Sequence, residues 1–309
     1  MRTAWRVLAA SAVVVMACGC AAPKAGILVM AHGGDEEWNA AVERTVAPLR
    51  EKYPVEIAFG MARSSTMQAA VERLERQGVR RVAVVRLFIS GDSFLERTEY
   101  ILGLRNSPGG AATRMAASGH HGSGARHVAH VAESHHSAGM GHAMEPPAPI
   151  QSRCSFVLSR QGVGQSPLVD EILVERVRAL SRDPARESVL ILAHGPGDDA
   201  ENERWLAAMR LRAQRICEIG PFRHIEVETL REDWPVRREL AVQRIREYVE
   251  RAGRDGGRVI VVPFRIAGFG PYAEVLEGLD YVADGKGLCP HPNITRWIEQ
   301  TARQCLEQR

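Results

Sequence analysis

An apolar run that stops at histidine and glycine occurs twice in this 309-residue chain, as ILVMAHGG at 27–34 and LILAHGPG at 190–197. Each run is short, continuous and aliphatic, the pattern of a parallel strand buried on both faces. A glycine directly after the histidine lets the backbone turn sharply and leaves the imidazole at the strand's carboxyl end. In an open α/β sheet that end is where ligands bind. His32 and His194 are therefore the first candidates for chemistry.

The chain around each run is organised alike. In the first half, strand patterns at 26–30, at 55–59 and, with its carboxyl-end loop, at 81–93 alternate with helix patterns at 35–50, at 66–77 (with Ser65 as N-cap) and up to about 104. In the second half, strands at 189–193, at 225–230 and, with its loop, at 258–270 alternate with helices at 201–218 and 236–252. RVIVVPFRIAGFG at 258–270 aligns without a gap to 81–93, with Arg81 on Arg258, Val82 on Val259 and Gly91 on Gly268. Matched order and type imply an internal duplication, and repeated βα units imply right-handed crossovers and parallel sheets. The expected fold is α/β, with two duplicated flavodoxin-like domains at 25–183 and 187–309 facing a central cleft. A strand at 154–158 and a helix opening at Ser166-Pro167 are expected to close the first domain.

Two segments stand outside this plan. Residues 1–20 begin with Arg2 and Arg6, ahead of a short apolar run from Val7 to Met16, as in a secretory signal. They end in VVMACGCAAP, a lipobox-like sequence in which Cys18 or Cys20 is the residue expected to carry lipid. The protein is then exported and tethered to the outer face of a bacterial membrane. Residues 107–150 are rich in Gly, Ala, Ser and His and lack apolar periodicity, so they are expected to form a disordered insert. This insert holds His120, His121, His127, His130, His135, His136 and His142, seven of the chain's 11 histidines. Imidazoles without thiolates suit Co, Ni, Cu or Zn.

A net charge of +3 is too small to argue for nucleic acid. HGPG is too short for a phosphate loop and lacks its lysine, so no nucleotide is expected. Outside the leader, Cys154, Cys217, Cys289 and Cys305 form no CxxC pair. Glu226 and Glu228 read as a solvated strand face, His224 as a surface residue, and His291 as part of a turn before a helix capped by Asn293.

The AHG strand ends, VVPFRIAGFG and the terminal GLCPHPNITRWIEQ together resemble the sirohydrochlorin cobaltochelatases, class II tetrapyrrole chelatases related to ferrochelatase. The resemblance covers most of 25–302. It implies two flavodoxin-like domains and insertion of Co²⁺, or alternatively Ni²⁺ or Fe²⁺, into sirohydrochlorin or a similar tetrapyrrole; Zn²⁺ is a further candidate ion. Such insertion displaces two pyrrole protons, and imidazole can both hold a metal and accept a proton. Relatives place a His after the first strand of the active repeat, a Glu after the second and another His after the third. In the second repeat His194 takes the first position, Glu232 in LREDWP matches the carboxylate, and Gly270 stands at the third. In the first repeat His32 matches, Gly60 and Met61 stand in place of the carboxylate, and the third position falls at about Ser93, beside Asp92. The resemblance thus implies His194, Glu232 and His32 as catalytic residues, with His194, His32 and the insert histidines as metal ligands. Arg63 and Arg265 are within reach of substrate carboxylates on this reading. The alternative is a non-catalytic periplasmic metal- or tetrapyrrole-binding lipoprotein that keeps the fold.

Overall fold

The structure, a computed structural model, describes residues 23–109 and 145–308. The leader with Cys18 and Cys20, and all seven insert histidines, lie outside the described residues. The first half runs β1 (Ala25–Ala31), α1 (Glu36–Val46), β2 (Val55–Phe59), α2 (Ser64–Arg76), β3 (Arg81–Leu87), α3 (Leu95–Ile101), β4 (Ser155–Leu158) and α4 (Leu168–Leu180). The second runs β5 (Glu187–Ala193), α5 (Asp199–Ala213), β6 (His224–Thr229), α6 (Pro235–Gly253), β7 (Arg258–Pro263), α7 (Tyr272–Val275) and α8 (Pro292–Glu307). Among the described residues, no helix is long and apolar enough to cross a membrane.

Two parallel sheets result, with strand orders β2-β1-β3-β4 and β6-β5-β7. The duplication holds in register: Ala31 pairs with Phe59 in the first sheet, and Ala193 with Thr229 in the second. The strand corresponding to β4 shrinks in the second sheet to one parallel bridge, Ile260 to Val282.

The side-chain period of two divides each strand between two cores. Ile27, Val29 and Ala31 share one continuous core with Val189, Ile191 and Ala193, which joins the two halves. Leu28 and Met30 face the opposite way, into a core closed by Met67, Val71 and Leu74 of α2. Leu190 and Leu192 do the same against Ile245 and Val249 of α6. Strands buried on both faces explain why the sequence shows unbroken apolar runs rather than alternation.

The helices that end each half are exchanged. α4 packs on α5 and β7 of the second sheet, and Arg258 Nη1 donates to the Leu180 carbonyl at its carboxyl end (2.6 Å). α8 crosses back to β3 of the first sheet, where Arg81 donates to the Gln308 carbonyl. Each guanidinium thereby meets the negative end of the helix it receives. The aligned pair Arg81 and Arg258 performs this one task on both sides. The halves at 25–183 and 187–309 thus each lend their last helix to the other half's sheet. Sequence order places a helix beside its own strands, but the exchange is set by which sheet face lacks a cover.

Local corrections follow from hydrogen bonding. α2 begins at Ser64, and Ser65 is not its cap; Ser65 Oγ donates to Glu145 (2.7 Å) while Ser64 Oγ accepts from Ala148 N (2.9 Å). The insert's last residues are therefore ordered: Ile150 N–H reaches the Ile101 carbonyl at 2.9 Å. His291, not Asn293, caps α8, its Nδ1 accepting from Asn293 N (3.1 Å). Asn293 instead ties α8 to α4 through the Leu168 carbonyl (3.1 Å) and Glu171 (2.7 Å). Cys154, Cys217, Cys289 and Cys305 are all free thiols, and burial pushes the Cys289 thiol up to about 12.

Candidate metal and tetrapyrrole site

His32 and His194 stand at the carboxyl ends of β1 and β5, each followed by a glycine in the left-handed region (Gly33 φ 82°, Gly195 φ 77°). The space is as restrictive as the torsion at Gly195, where a Cβ would come within 2.6 Å of Thr229 Cβ. The turn brings each ring back onto its own chain. His32 Nδ1 lies 2.8 Å from the Gly33 carbonyl, and His194 Nδ1 lies 2.7 Å from the Gly195 carbonyl. A carbonyl only accepts, so Nδ1 carries the proton in both rings and the carbonyl leaves Nε2 unused. This is the tautomer a metal ligand needs.

The two histidines then differ. His32 is exposed, with Trp38 6.4 Å away between ring centroids. His194 is half-buried, with Trp234 edge-on at 6.2 Å, and its Nε2 meets two carboxylates, Asp233 at 3.1 Å and Glu232 at 3.8 Å. Burial alone lowers the imidazole's proton affinity. The hydrogen bond to Asp233 and the charges of Glu232 and Asp233 outweigh it, so His194 titrates above its ordinary value. Asp233 is held below the carboxylate range, first by the His194 hydrogen bond and further by the charges of His194, His32 and Arg265. The field of His32 thus reaches the second-repeat carboxylate, although no hydrogen bond or ring contact joins the two histidines.

Arg231 fixes this arrangement. Its backbone is left-handed (φ 58°) and its side chain buried. Its Nε donates to the Pro196 carbonyl, and its Nη2 donates to the Gly197 carbonyl (2.7 Å) and to Asp199 (2.8 Å). The turn after β5 is thereby stapled to the turn after β6. A non-glycine residue held in this region stores about 1–3 kcal/mol and needs its surroundings to impose it. Arg237 and Arg231 hold Asp199 down to about 2. No pattern in the sequence singles out Arg231, because its role lies in a torsion and in carbonyl partners.

Glu232 is differently placed from Asp233. Its Oε1 forms an ion pair with Arg265 Nη1, and both side chains are largely buried. A side chain at Gly270 would strike that guanidinium, with a Cβ only 2.6 Å from Arg265 Cζ and Nη1. The second-repeat position without histidine is therefore filled by arginine. Arg63 lies 4.0 Å from Glu145, away from this pair. Asp92 pairs with Arg204 of α5 at 3.2 Å, and Ser93 gives its carbonyl to the buried Arg86 (2.7 Å). Neither is brought to His32.

Among the described residues, no three of His, Cys, Asp and Glu converge closely enough to hold a metal ion. His194 has Asp233 and Glu232 within 4 Å of Nε2, and Asp233 is the neighbour sequence reasoning missed. Two cavities flank the start of α6 beside it. One, of about 610 Å³, is bordered by Glu232, Asp233, Val242 and Arg246; the other, of about 650 Å³, by Arg231, Trp234, Val236 and Leu240. Glu226, Glu228 and His224 lie on β6, away from His194.

Residues 26–97 match the CbiX family. No curated protein sequence matches the chain. Among solved structures, SirB from Bacillus subtilis with Fe³⁺ is similar over 92% of this chain and 96% of its own, at 13% identity and a TM-score of 0.57. The sirohydrochlorin chelatase SirB from Bacillus subtilis subspecies spizizenii, in complex with cobalt, covers the same shares at 13% identity and a TM-score of 0.52. DR2241 from Deinococcus radiodurans, a multi-domain protein with structural similarity to chelatases, is matched over 93% of this chain and 56% of its own, at 16% identity and a TM-score of 0.50. The chain thus has the duplicated α/β fold of the chelatases, and within its first repeat the sequence matches the CbiX family.

Proposed function

We propose that the protein inserts a divalent metal ion into sirohydrochlorin or a similar tetrapyrrole. Co²⁺ is the leading ion, with Ni²⁺, Fe²⁺ and Zn²⁺ as alternatives; metal and tetrapyrrole are both substrates. The observation that carries this reading is the His194 imidazole, locked by the Gly195 carbonyl with Nε2 facing Asp233 at 3.1 Å. Deprotonated, Nε2 is a loose one-point ligand that can release its ion. When the ion leaves for the macrocycle, two pyrrole N–H protons come off, and Nε2 and the neighbouring carboxylate are placed to take them. The family match over 26–97 and the fold support the same reading. Export and a lipid anchor at Cys18 or Cys20 complete the proposal, resting on the leader sequence alone.

The test is incubation of the purified protein with sirohydrochlorin and Co²⁺, followed by absorbance. Multiple turnovers above the non-enzymatic rate are expected, and His194→Ala is expected to remove them. A rate equal to the protein-free control would sink the enzymatic reading. A second reading, stoichiometric metal or tetrapyrrole binding without turnover, is favoured by the engagement of Glu232 with Arg265 and by the lack of a three-ligand cluster among the described residues. It predicts one equivalent of ligand bound per chain and no turnover.

A further inference from the structure

Arg265 sits at the centre of three observations that the proposed reaction leaves unused. Its guanidinium occupies the space that a side chain at Gly270 would take. It pairs with Glu232, which with Asp233 is one of two carboxylates within 4 Å of His194 Nε2 among the described residues. It also lies over the fully buried ring of Tyr272, 5.6 Å from the centroid, and its Nε is buried without a hydrogen-bond partner. The guanidinium is thus held between Glu232 and Tyr272, with its Nε left unused.

We infer that Arg265 is a resident cation that competes with an incoming divalent metal for Glu232. The inference rests on the proposal that His194 receives the metal. A guanidinium cannot lose its charge near neutral pH, so the carboxylate is neutralised for as long as the pair stands. A metal at His194 Nε2 would then find Asp233 as its one free carboxylate, and a fixed positive charge behind Glu232 would repel it. The empty site is therefore metal-poor by construction, and a full ligand set needs Arg265 to give Glu232 up. Arg265 acts here through Glu232 and is a positioning residue.

Titration with CoCl₂ alone, read by calorimetry on the full chain, tests this without any chelatase assay. His194→Ala supplies the background from every other imidazole. Arg265→Gln, which keeps bulk and a hydrogen bond but removes the charge, is expected to tighten the His194-dependent binding about ten-fold, or roughly 1.4 kcal/mol. Arg265→Lys keeps the cation and is expected to stay within two-fold of wild type. The gain should disappear in Arg265→Gln/Glu232→Gln. Unchanged or weaker binding in folded Arg265→Gln, or a gain that survives loss of Glu232, overturns the inference. If Arg265→Gln does not fold, Glu232→Gln alone decides: a loss under two-fold supports competition, and a ten-fold loss shows Glu232 already free to bind metal. Absence of chelatase turnover would leave all these outcomes readable.

Discussion

His194 places Nε2 3.1 Å from Asp233 while its Nδ1 meets the Gly195 carbonyl at 2.7 Å. With both ring nitrogens bonded to acceptors, the imidazolium is favoured and His194 titrates above its ordinary value. Asp233→Asn removes the charge-assisted bond, so the His194 midpoint should fall below that of wild type in an NMR pH titration. The stabilisation tied to this histidine is complete below the unfolded value of about 6.5 and is lost as pH rises through the higher folded value. That tied to Asp233, whose folded value is depressed, is present above its unfolded value and lost as acid titrates it. Stability from the pair should therefore peak between the two transitions, and Asp233→Asn should flatten the profile on both sides. An unchanged His194 midpoint in the variant would show that Asp233 is not its partner.

The glycines after the two histidines are predicted to differ in tolerance. Both have positive φ, which costs an alanine about 1–2 kcal/mol. At Gly33 the nearest atom to an added Cβ is Phe59 Cβ at 3.3 Å, a contact that small shifts relieve. At Gly195 the Cβ falls 2.6 Å from Thr229 Cβ and 3.1 Å from Arg231, in a turn already stapled by Arg231. Overpacking adds about 1–3 kcal/mol there. Urea denaturation should show Gly195→Ala as the more destabilised variant, with His194 displaced in its NMR spectrum. Equal losses would remove the steric argument.

Arg86 offers a separate test of how the carboxyl ends are built. Its buried guanidinium is bound by carbonyls alone, those of Ser159 (2.9 Å), Ser93 (2.7 Å), Gly91 (2.5 Å) and Arg160 (3.3 Å). Burial lowers its pKa to about 10. Arg86→Lys cannot span four acceptors, and each carbonyl left bare costs about 1–3 kcal/mol. We expect a loss of several kcal/mol in chemical denaturation, with faster proteolysis at 90–93. A variant as stable as wild type would mean that water replaces the guanidinium.

These cases show what the sequence makes legible. Aliphatic runs ending in His-Gly predict β1, β5 and the sharp turns after them, because a parallel strand and a positive φ leave few residue types possible; the carbonyl bonds that fix the ring tautomer do not show in the sequence. The alignment of Arg81 with Arg258 correctly marks a repeat, yet its purpose appears only when each arginine is seen to cap a helix from the other half. Glu232 is read as the carboxylate from the family resemblance alone; its ion pair with Arg265 is not readable, since the two are 33 residues apart and meet across β6 and β7. Asp233 was overlooked beside it because a one-residue choice between neighbouring acids depends on the left-handed torsion at Arg231.

The His-rich insert carries seven imidazoles. We propose that the insert stores or delivers metal, and deleting residues 119–142 should then lower the number of Co²⁺ ions bound while leaving the His194 titration and the unfolding midpoint in place. An unchanged metal stoichiometry would deny the insert its role.

The leader prediction concerns where this chemistry happens. Only a few residues separate Cys18 and Cys20 from β1, which opens at Ala25. A lipid on either cysteine would hold the amino end of the first sheet close to the bilayer surface, since so short a stretch reaches at most about 3.3–3.6 Å per residue. One acyl chain binds a membrane only marginally, and stable anchoring takes more than one. Expression of the full chain in a bacterial host should therefore yield a membrane-fractionating protein whose mass exceeds that of the cleaved polypeptide by several acyl groups. Replacing Cys18 and Cys20 singly should identify the modified residue, and replacing both should release the protein into the soluble exported fraction. Unchanged fractionation and mass in the double variant would remove the anchor and leave an ordinary cleaved signal.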